Sequence, residues 1–295
     1  MVDPLRISAI AKDVLLAPIY LYQGRKVKRD TVRLPEPEGE RHGYVQLGDP
    51  QLRDFQLGDS AETAVSEITR TLSLMIVGDS AAAGVGSLTQ QEALAGKLIP
   101  ALQQQAVIND QFDVLSWELQ ATTGHTSFDI LRRLYVLPTP DQPVDIMVLS
   151  VGVNDTTSNV SISKWQRQIE QIIAIAQRKF GVRELIFSSL PPMAQMPALP
   201  SPLNNFIGAK ATKLDQVLQN ICAEHSGVHH MAADFTLLAK KHTNEPIDSI
   251  AMFASDGFHP SSLTYGYWAQ QLAELMGQLL DSSFDKTVIK NNDDH

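Results

Sequence analysis

An α/β fold built on a parallel sheet is what this 295-residue chain predicts, on three observations. Apolar runs of strand length recur at Leu72–Val77, Asp145–Val151 and Glu184–Ser189. Longer stretches with helical spacing separate them. Gly, Asn, Asp and Ser gather where the runs end. A continuous apolar run marks a strand covered on both faces. Strands that alternate with helices imply parallel pairing through right-handed crossovers.

The elements follow in order. Asp3-Pro4 starts a helix, with Asp3 as cap and Pro4 at the first helical position. Leu5, Ile10, Val14, Leu15, Ile19 and Tyr22 fall on one side of it. Arg25, Lys26, Lys28, Arg29 and Arg33 come next, and Pro35, Pro37 and Gly39 among glutamates mark an extended linker. Leu72–Val77 is the first strand, Gln91–Gln105 a helix, Asp113–Leu119 the second strand and Ser127–Leu134 a short helix before Pro138. Asp145–Val151 is the third strand. Ser163–Lys179 carries Ile169, Ile172, Ile173 and Ile175 at helical spacing and stops near Gly181. Glu184–Ser189, Asn204–Glu224 and Val228–Ala232 read as strand, helix and strand. A closing helix over Ser262–Leu280 is capped by Ser261 or Ser262. The organisation expected is an N-terminal extension over 1–70, one domain over 71–283 and a polar, frayed tail over 284–295.

Composition narrows the function. The chain is 43% hydrophobic and 19% charged with a net charge of −9. An acidic balance without a basic face argues against nucleic-acid binding. The single cysteine, Cys222, excludes an internal disulfide. The most apolar early stretch, Val14–Tyr22, is nine residues long and holds Pro18. A membrane span needs roughly 20 apolar residues. The basic cluster follows this stretch instead of preceding it, unlike a secretory signal. The expected location is the cytoplasm. The apolar and basic segment over residues 5–33 is a candidate for peripheral contact with an anionic membrane surface.

Chemistry-bearing residues sit where α/β folds bind ligands, beyond the carboxyl ends of the strands. Ser80, in Gly78-Asp79-Ser80, stands at the turn from the first strand into a helix. A serine hydroxyl needs a base. His259 supplies one in Asp256-Gly257-Phe258-His259, where Asp256 can hold one imidazole nitrogen while the other takes the serine proton. Gly124, after the second strand, offers a backbone N–H that can approach a substrate closely. Asn154, in Gly152-Val153-Asn154-Asp155, offers a side-chain amide to an oxyanion. A second Gly58-Asp59-Ser60 follows no buried strand, so Ser60 reads as structural. His225 and His229 are four apart, but Ser226 and Gly227 break the zinc-protease helix pattern.

Taken together, these blocks resemble the SGNH, or GDSL-type, hydrolase family over roughly residues 72 to 280. The four named residues of that family match Ser80, Gly124, Asn154 and His259. The resemblance implies a three-layer α/β/α sandwich with a five-stranded parallel sheet, of flavodoxin-like form. It implies hydrolysis of carboxylic esters through an acyl-serine, with neither metal nor cofactor. It assigns Ser80, Asp256 and His259 to a triad, and the Ser80 N–H, Gly124 N–H and Asn154 side chain to an oxyanion hole. Residues 1–70 lie outside it.

Rival readings are weaker. Gly84-Val85-Gly86 follows a strand, but Thr89 stands where a dinucleotide fingerprint needs glycine. Ala82 replaces the second glycine of Gly-x-Ser-x-Gly. The rival from another class is a non-catalytic flavodoxin-like binding module. Within enzymes, small esters of short to medium acyl chains are expected. Lysophospholipids and acyl thioesters are the alternative. The apolar loop Pro191–Leu199, with Met193, and the flanking Phe253 and Phe258 are expected to wall the acyl pocket.

Overall fold

The computed structural model describes residues 4–48, 70–232 and 249–292. The Gly58-Asp59-Ser60 copy lies outside the described residues. A six-stranded sheet runs in the order β1-β3-β2-β4-β5-β6. Its strands are β1 (His42–Gln46), β2 (Thr71–Gly78), β3 (Val114–Ala121), β4 (Ile146–Ser150), β5 (Glu184–Ser188) and β6 (Val228–Met231). The five strands from β2 onward pair in parallel, as expected from the sequence. The addition is β1, which pairs antiparallel with β3, His42 opposite Glu118 and Gln46 opposite Val114. Part of the N-terminal segment is therefore an edge strand of the same sheet.

The sheet explains why its central strands are apolar throughout. In β2, Leu74 and Ile76 face one side while Met75 and Val77 face the other. Side chains of a strand alternate between the two faces, so burial on both demands an unbroken run. One face is covered by α5 (Ser127–Val136), α7 (Ile162–Lys179) and α8 (Leu203–Glu224). The other is covered by α3 (Leu94–Gln103) and the closing helix α9 (Ser262–Asn292). This is a three-layer α/β/α sandwich. Among the described residues the body also holds the short helices α2 (Ser80–Ala83), α4 (Ala106–Gln111) and α6 (Val153–Thr157).

Both ends of the chain extend further into helix than the sequence suggests. Helix α1 (Pro4–Asp30) carries Arg25, Lys26, Lys28 and Arg29 within it, and α9 runs on to Asn292. Basic residues suit a helix C-terminus, where they face the negative end of the dipole. One side of α1 docks on the body. Tyr20 stacks on Phe206 with ring centroids 4.6 Å apart. Gln23 donates to Ser201 O at 2.7 Å and accepts from the Leu203 amide at 3.2 Å. The other side leaves Val14, Leu15, Ile19, Leu21 and Tyr22 exposed. Among the described residues, no helix is long and apolar enough to cross a membrane.

The layer under α7 rests on Trp165, which is fully buried and donates its indole N–H to Leu214 O at 3.0 Å. Trp165→Ala removes that bond and leaves a large void. Loss of an aromatic core side chain costs about 3–5 kcal/mol, and urea unfolding should show a destabilisation of that order. A change under about 1 kcal/mol would contradict this packing.

Candidate active site

The site is assembled at the carboxyl ends of β2, β3 and β4. Strand β2 runs straight into Asp79, whose Oδ1 accepts the Ala81 amide at 3.1 Å and so caps α2. An aspartate in this position satisfies a free amide at a helix start. Ser80 is the first residue of α2, at the turn that the sequence marks. Its N–H is among the first-turn amides that lack an intrahelical acceptor.

His259 arrives from the loop before α9. Ser80 Oγ donates to His259 Nε2 at 2.8 Å, and His259 Nδ1 donates to Asp256 Oδ2 at 2.6 Å. Asp256 Oδ1 accepts the amides of Phe258 at 2.9 Å and His259 at 3.1 Å. The Asp256 side chain is almost wholly covered, whereas His259 keeps an open edge. Burial pushes the Asp256 carboxyl up, but the bonds from the His259 ring and the two amides outweigh it. The carboxyl is held below its ordinary range. It is therefore ionised and acceptor-only, which fixes the tautomer that leaves Nε2 facing the hydroxyl.

The histidine loop is positioned from two sides. Tyr265 is fully buried and donates to Val85 O at 2.8 Å, fastening α9 to the turn after α2. In that turn Gly86 has φ +107°, and a Cβ there would lie 2.4 Å from Pro260 O and 3.3 Å from His259 Cβ. Only glycine allows both the backbone angle and the approach. Ser261 stands as the cap of α9, and Thr264 Oγ1 donates to Met252 O at 2.6 Å.

Asn154 lies in the first turn of α6. Its Nδ2 donates to His125 O at 3.0 Å and, at a long 3.4 Å, to Asp79 Oδ2. The second contact ties it to the residue preceding Ser80. Gly124 sits with φ +84° in an exposed turn between Thr122 and His125. Thr122 N–H donates to Gly78 O at 3.2 Å, which keeps this turn beside the end of β2. The structure thus brings Ser80, His259 and Asp256 into one hydrogen-bonded line, while Asn154 bonds to Asp79, the residue before Ser80, and to His125 O in the Gly124 turn.

The proposed pocket residues fare differently. Phe253 and Phe258 are half-buried beside the His259 loop. Met193 is only 1% exposed and belongs to the core under that loop. The apolar character of Pro191–Leu199 reflects core packing at Met193, Met196 and Leu199, so Met193 offers no wall to a substrate.

Two further carboxyls shape the site and were not singled out in the sequence. Asp79 is fully buried, which raises its carboxyl to about 6 against the pull of the Ala81 amide and the nearby His259. Asp155, also fully buried, accepts from the amide of Ser127 at 2.9 Å and from its hydroxyl. That pairing locks the start of α6, and hence Asn154, to the start of α5. Burial again raises the carboxyl. A carboxylate next to each motif serine or asparagine is the only sequence signal of either role.

Residues 76–267 match the family model for the GDSL-like lipase/acylhydrolase family. A relative, the GDSL-like esterase Rv1075c of Mycobacterium tuberculosis, is 23% identical over 224 residues, or 74% of this chain. The chain spans 66%, just under two thirds, of that relative's length. A lipolytic G-D-S-L protein from Veillonella parvula superposes with a TM-score of 0.52 at 14% identity. That match covers 69% of this chain and 97% of the other. A family 3 carbohydrate esterase from Clostridium thermocellum superposes with a TM-score of 0.51 at 17% identity, covering 72% and 98%. These two likenesses establish the fold.

The raised Asp79 carboxyl has a stability consequence. Between its ordinary value of 3.8 and about 6, the unfolded chain ionises this group while the folded chain keeps it protonated. Rising pH therefore costs the wild type stability across that window, on the order of 3 kcal/mol at most. Asp79→Asn lacks the effect. Its stability relative to wild type should climb between about pH 4 and 6 and then level off. Thermal unfolding across that range checks this, and a constant difference would contradict it.

Proposed function

This chain belongs to the GDSL-like lipase/acylhydrolase family, and we propose that it is a carboxylic ester hydrolase in which Ser80 is the nucleophile, His259 the base and Asp256 the group that orients the base. The observation that carries this reading is the unbroken line of hydrogen bonds from Asp256 through His259 to Ser80. In the first step Ser80 Oγ bonds to the ester carbonyl carbon while its proton passes to His259 Nε2. The carbonyl oxygen becomes an oxyanion between the Ser80 and Gly124 amides and the Asn154 carboxamide. The alcohol then leaves with the proton from His259, giving an acyl-serine. Water, deprotonated by the same imidazole, releases the acid and restores Ser80. The long Asn154–Asp79 contact leaves an amide hydrogen that can turn to the oxyanion as charge develops.

Small esters of short to medium acyl chains fit this reading best. Its support is the half-buried pair Phe253 and Phe258, which borders His259 and offers a modest apolar surface. A second reading, lipid-derived esters such as lysophospholipids, draws on α1. That helix docks at Ser201 and Leu203, and the same loop meets the histidine loop where Ala198 N–H donates to Gly257 O at 3.3 Å. Its outward side joins Val14, Leu15, Ile19, Leu21 and Tyr22 to exposed Arg25, Lys26, Lys28 and Arg29. An apolar side followed by cations suits an anionic lipid surface.

Labelling, ester kinetics and vesicle sedimentation test these proposals. A fluorophosphonate should label wild type and fail to label Ser80→Ala, and nitrophenyl ester hydrolysis should fall by at least about 10³-fold in that variant. Asn154→Ala should lose roughly 10²–10³-fold in kcat. An unlabelled wild type would favour the binding module. For the lipid reading, the full chain should sediment with phosphatidylglycerol vesicles and not with phosphatidylcholine vesicles. Leu15→Ser with Tyr22→Ser should abolish sedimentation while leaving soluble-ester turnover intact. Failure of the full chain to sediment with either vesicle rejects the surface role.

A further inference from the structure

The extended segment before β1 is built into the site. Pro37 is buried, and its Cγ lies 3.0 Å from where a Cβ on Gly84 would stand, in the turn that ends α2. Gln90 is buried and donates to Ala83 O at 2.9 Å and to Pro37 O at 3.4 Å. Its own amide donates to Glu38 O at 3.0 Å. Just before Pro37, Glu36 Oε1 accepts the Thr123 amide at 2.6 Å and the Thr123 hydroxyl at 2.8 Å. Glu36 Oε2 accepts from Arg41 at 3.0 Å, and Arg41 O accepts the Leu119 amide of β3. The strap over residues 33–41 thus touches the turn after the nucleophile helix and the residue preceding Gly124.

Gly124 depends on such help. A Cβ built on it would have no heavy atom within 4 Å, so packing on that side does not fix its peptide. Its φ of +84° is one that glycine enters and leaves freely. The turn is held instead at its neighbours. On the far side, His125 O accepts from Asn154. On the near side, the hold on Thr123 is the Glu36 carboxylate. We propose that Glu36 is a positioning residue for ester hydrolysis, holding Thr123 so that the adjoining Gly124 N–H points at the developing oxyanion. The inference rests on the esterase reading given above and adds to it a group outside residues 76–267.

The test separates positioning from simple anchoring. Glu36→Ala in the full chain should lower kcat for a nitrophenyl ester about 10–100-fold, with KM within about twofold. Affinity for a boronic acid that forms a tetrahedral adduct on serine should fall in step with kcat. Glu36→Gln keeps an acceptor oxygen for the Thr123 amide and should recover most of the rate. Thr123→Val keeps the amide, loses the hydroxyl, and should be slowed less than Glu36→Ala at an unchanged melting temperature. Folded Glu36→Ala with wild-type kcat overturns the proposal, as does a melting temperature that drops while kcat and boronate affinity hold. If Glu36→Ala does not fold, Thr123→Val decides, and wild-type turnover there overturns it. Wild type inactive on every ester would refute the esterase reading instead.

Discussion

The rest of the structure depends on one contact between distant parts of the chain. Ser80 and His259 are separated by 179 positions and meet at 2.8 Å. Parallel pairing makes this achievable, because every βα turn emerges on the same edge of the sheet. It does not by itself bring in a loop that precedes the last helix. That falls to α9, whose Tyr265 bonds to Val85 O and whose Trp268 indole donates to Ser188 Oγ at 3.0 Å. Both bonds are buried, where a polar group left without a partner is costly. The closing helix therefore has a defined seat, and the histidine loop inherits it.

Three carboxyls near Ser80 share a side-chain chemistry and differ in state because their surroundings differ. Asp256 receives two amides and a ring N–H and is held ionised. Asp79 and Asp155 are more deeply buried, have fewer compensating donors, and are raised. The separation follows from solvation against hydrogen bonding. It also divides their work. In the proposed mechanism Asp256 carries the charge that the imidazolium needs in the transition state. Asp79 and Asp155 act as hinge pins, one for α2 and one for α6, and they hold Ser80 and Asn154 at a fixed relation. Motifs that read as single candidate residues, Gly-Asp-Ser and Val-Asn-Asp, each pair that residue with a neighbouring carboxyl that clamps it.

Much of this was legible in the sequence for identifiable reasons. Strands β2 and β4 are buried on both faces, so their apolar runs are unbroken. Helix α7 shows its buried side through Ile169, Ile172 and Ile173. The Ser80, Asn154 and Asp256–His259 blocks stand at strand ends and before a helix, where position itself carries meaning. Strand β1 was not legible. His42-Gly43-Tyr44-Val45-Gln46 is an edge strand with both ends exposed and no fully buried residue, so it has little hydrophobic period to show. Met193 misled for the converse reason, since an apolar loop reads alike whether it lines a pocket or fills a core. Glu36 gave no signal because its meaning lies in a contact with Thr123, 87 residues away.

The N-terminal segment changes meaning once these contacts are in view. Composition marks it as an extension and a proline-rich linker outside the matched residues. Its pieces nonetheless grip the body at consecutive points. Helix α1 docks on α8, the strap crosses the turn after α2 and the Thr123 turn, and β1 pairs along the β3 edge. Prolines serve this purpose directly. They fix φ and lower the entropy of an extended chain, so a strap can be held by few contacts. An exposed edge strand of β3 would otherwise invite pairing with another chain, and β1 covers it. The same short stretch therefore protects the sheet and reaches the Thr123–Gly124 turn. A segment that looks dispensable by composition is tied by geometry to the candidate site.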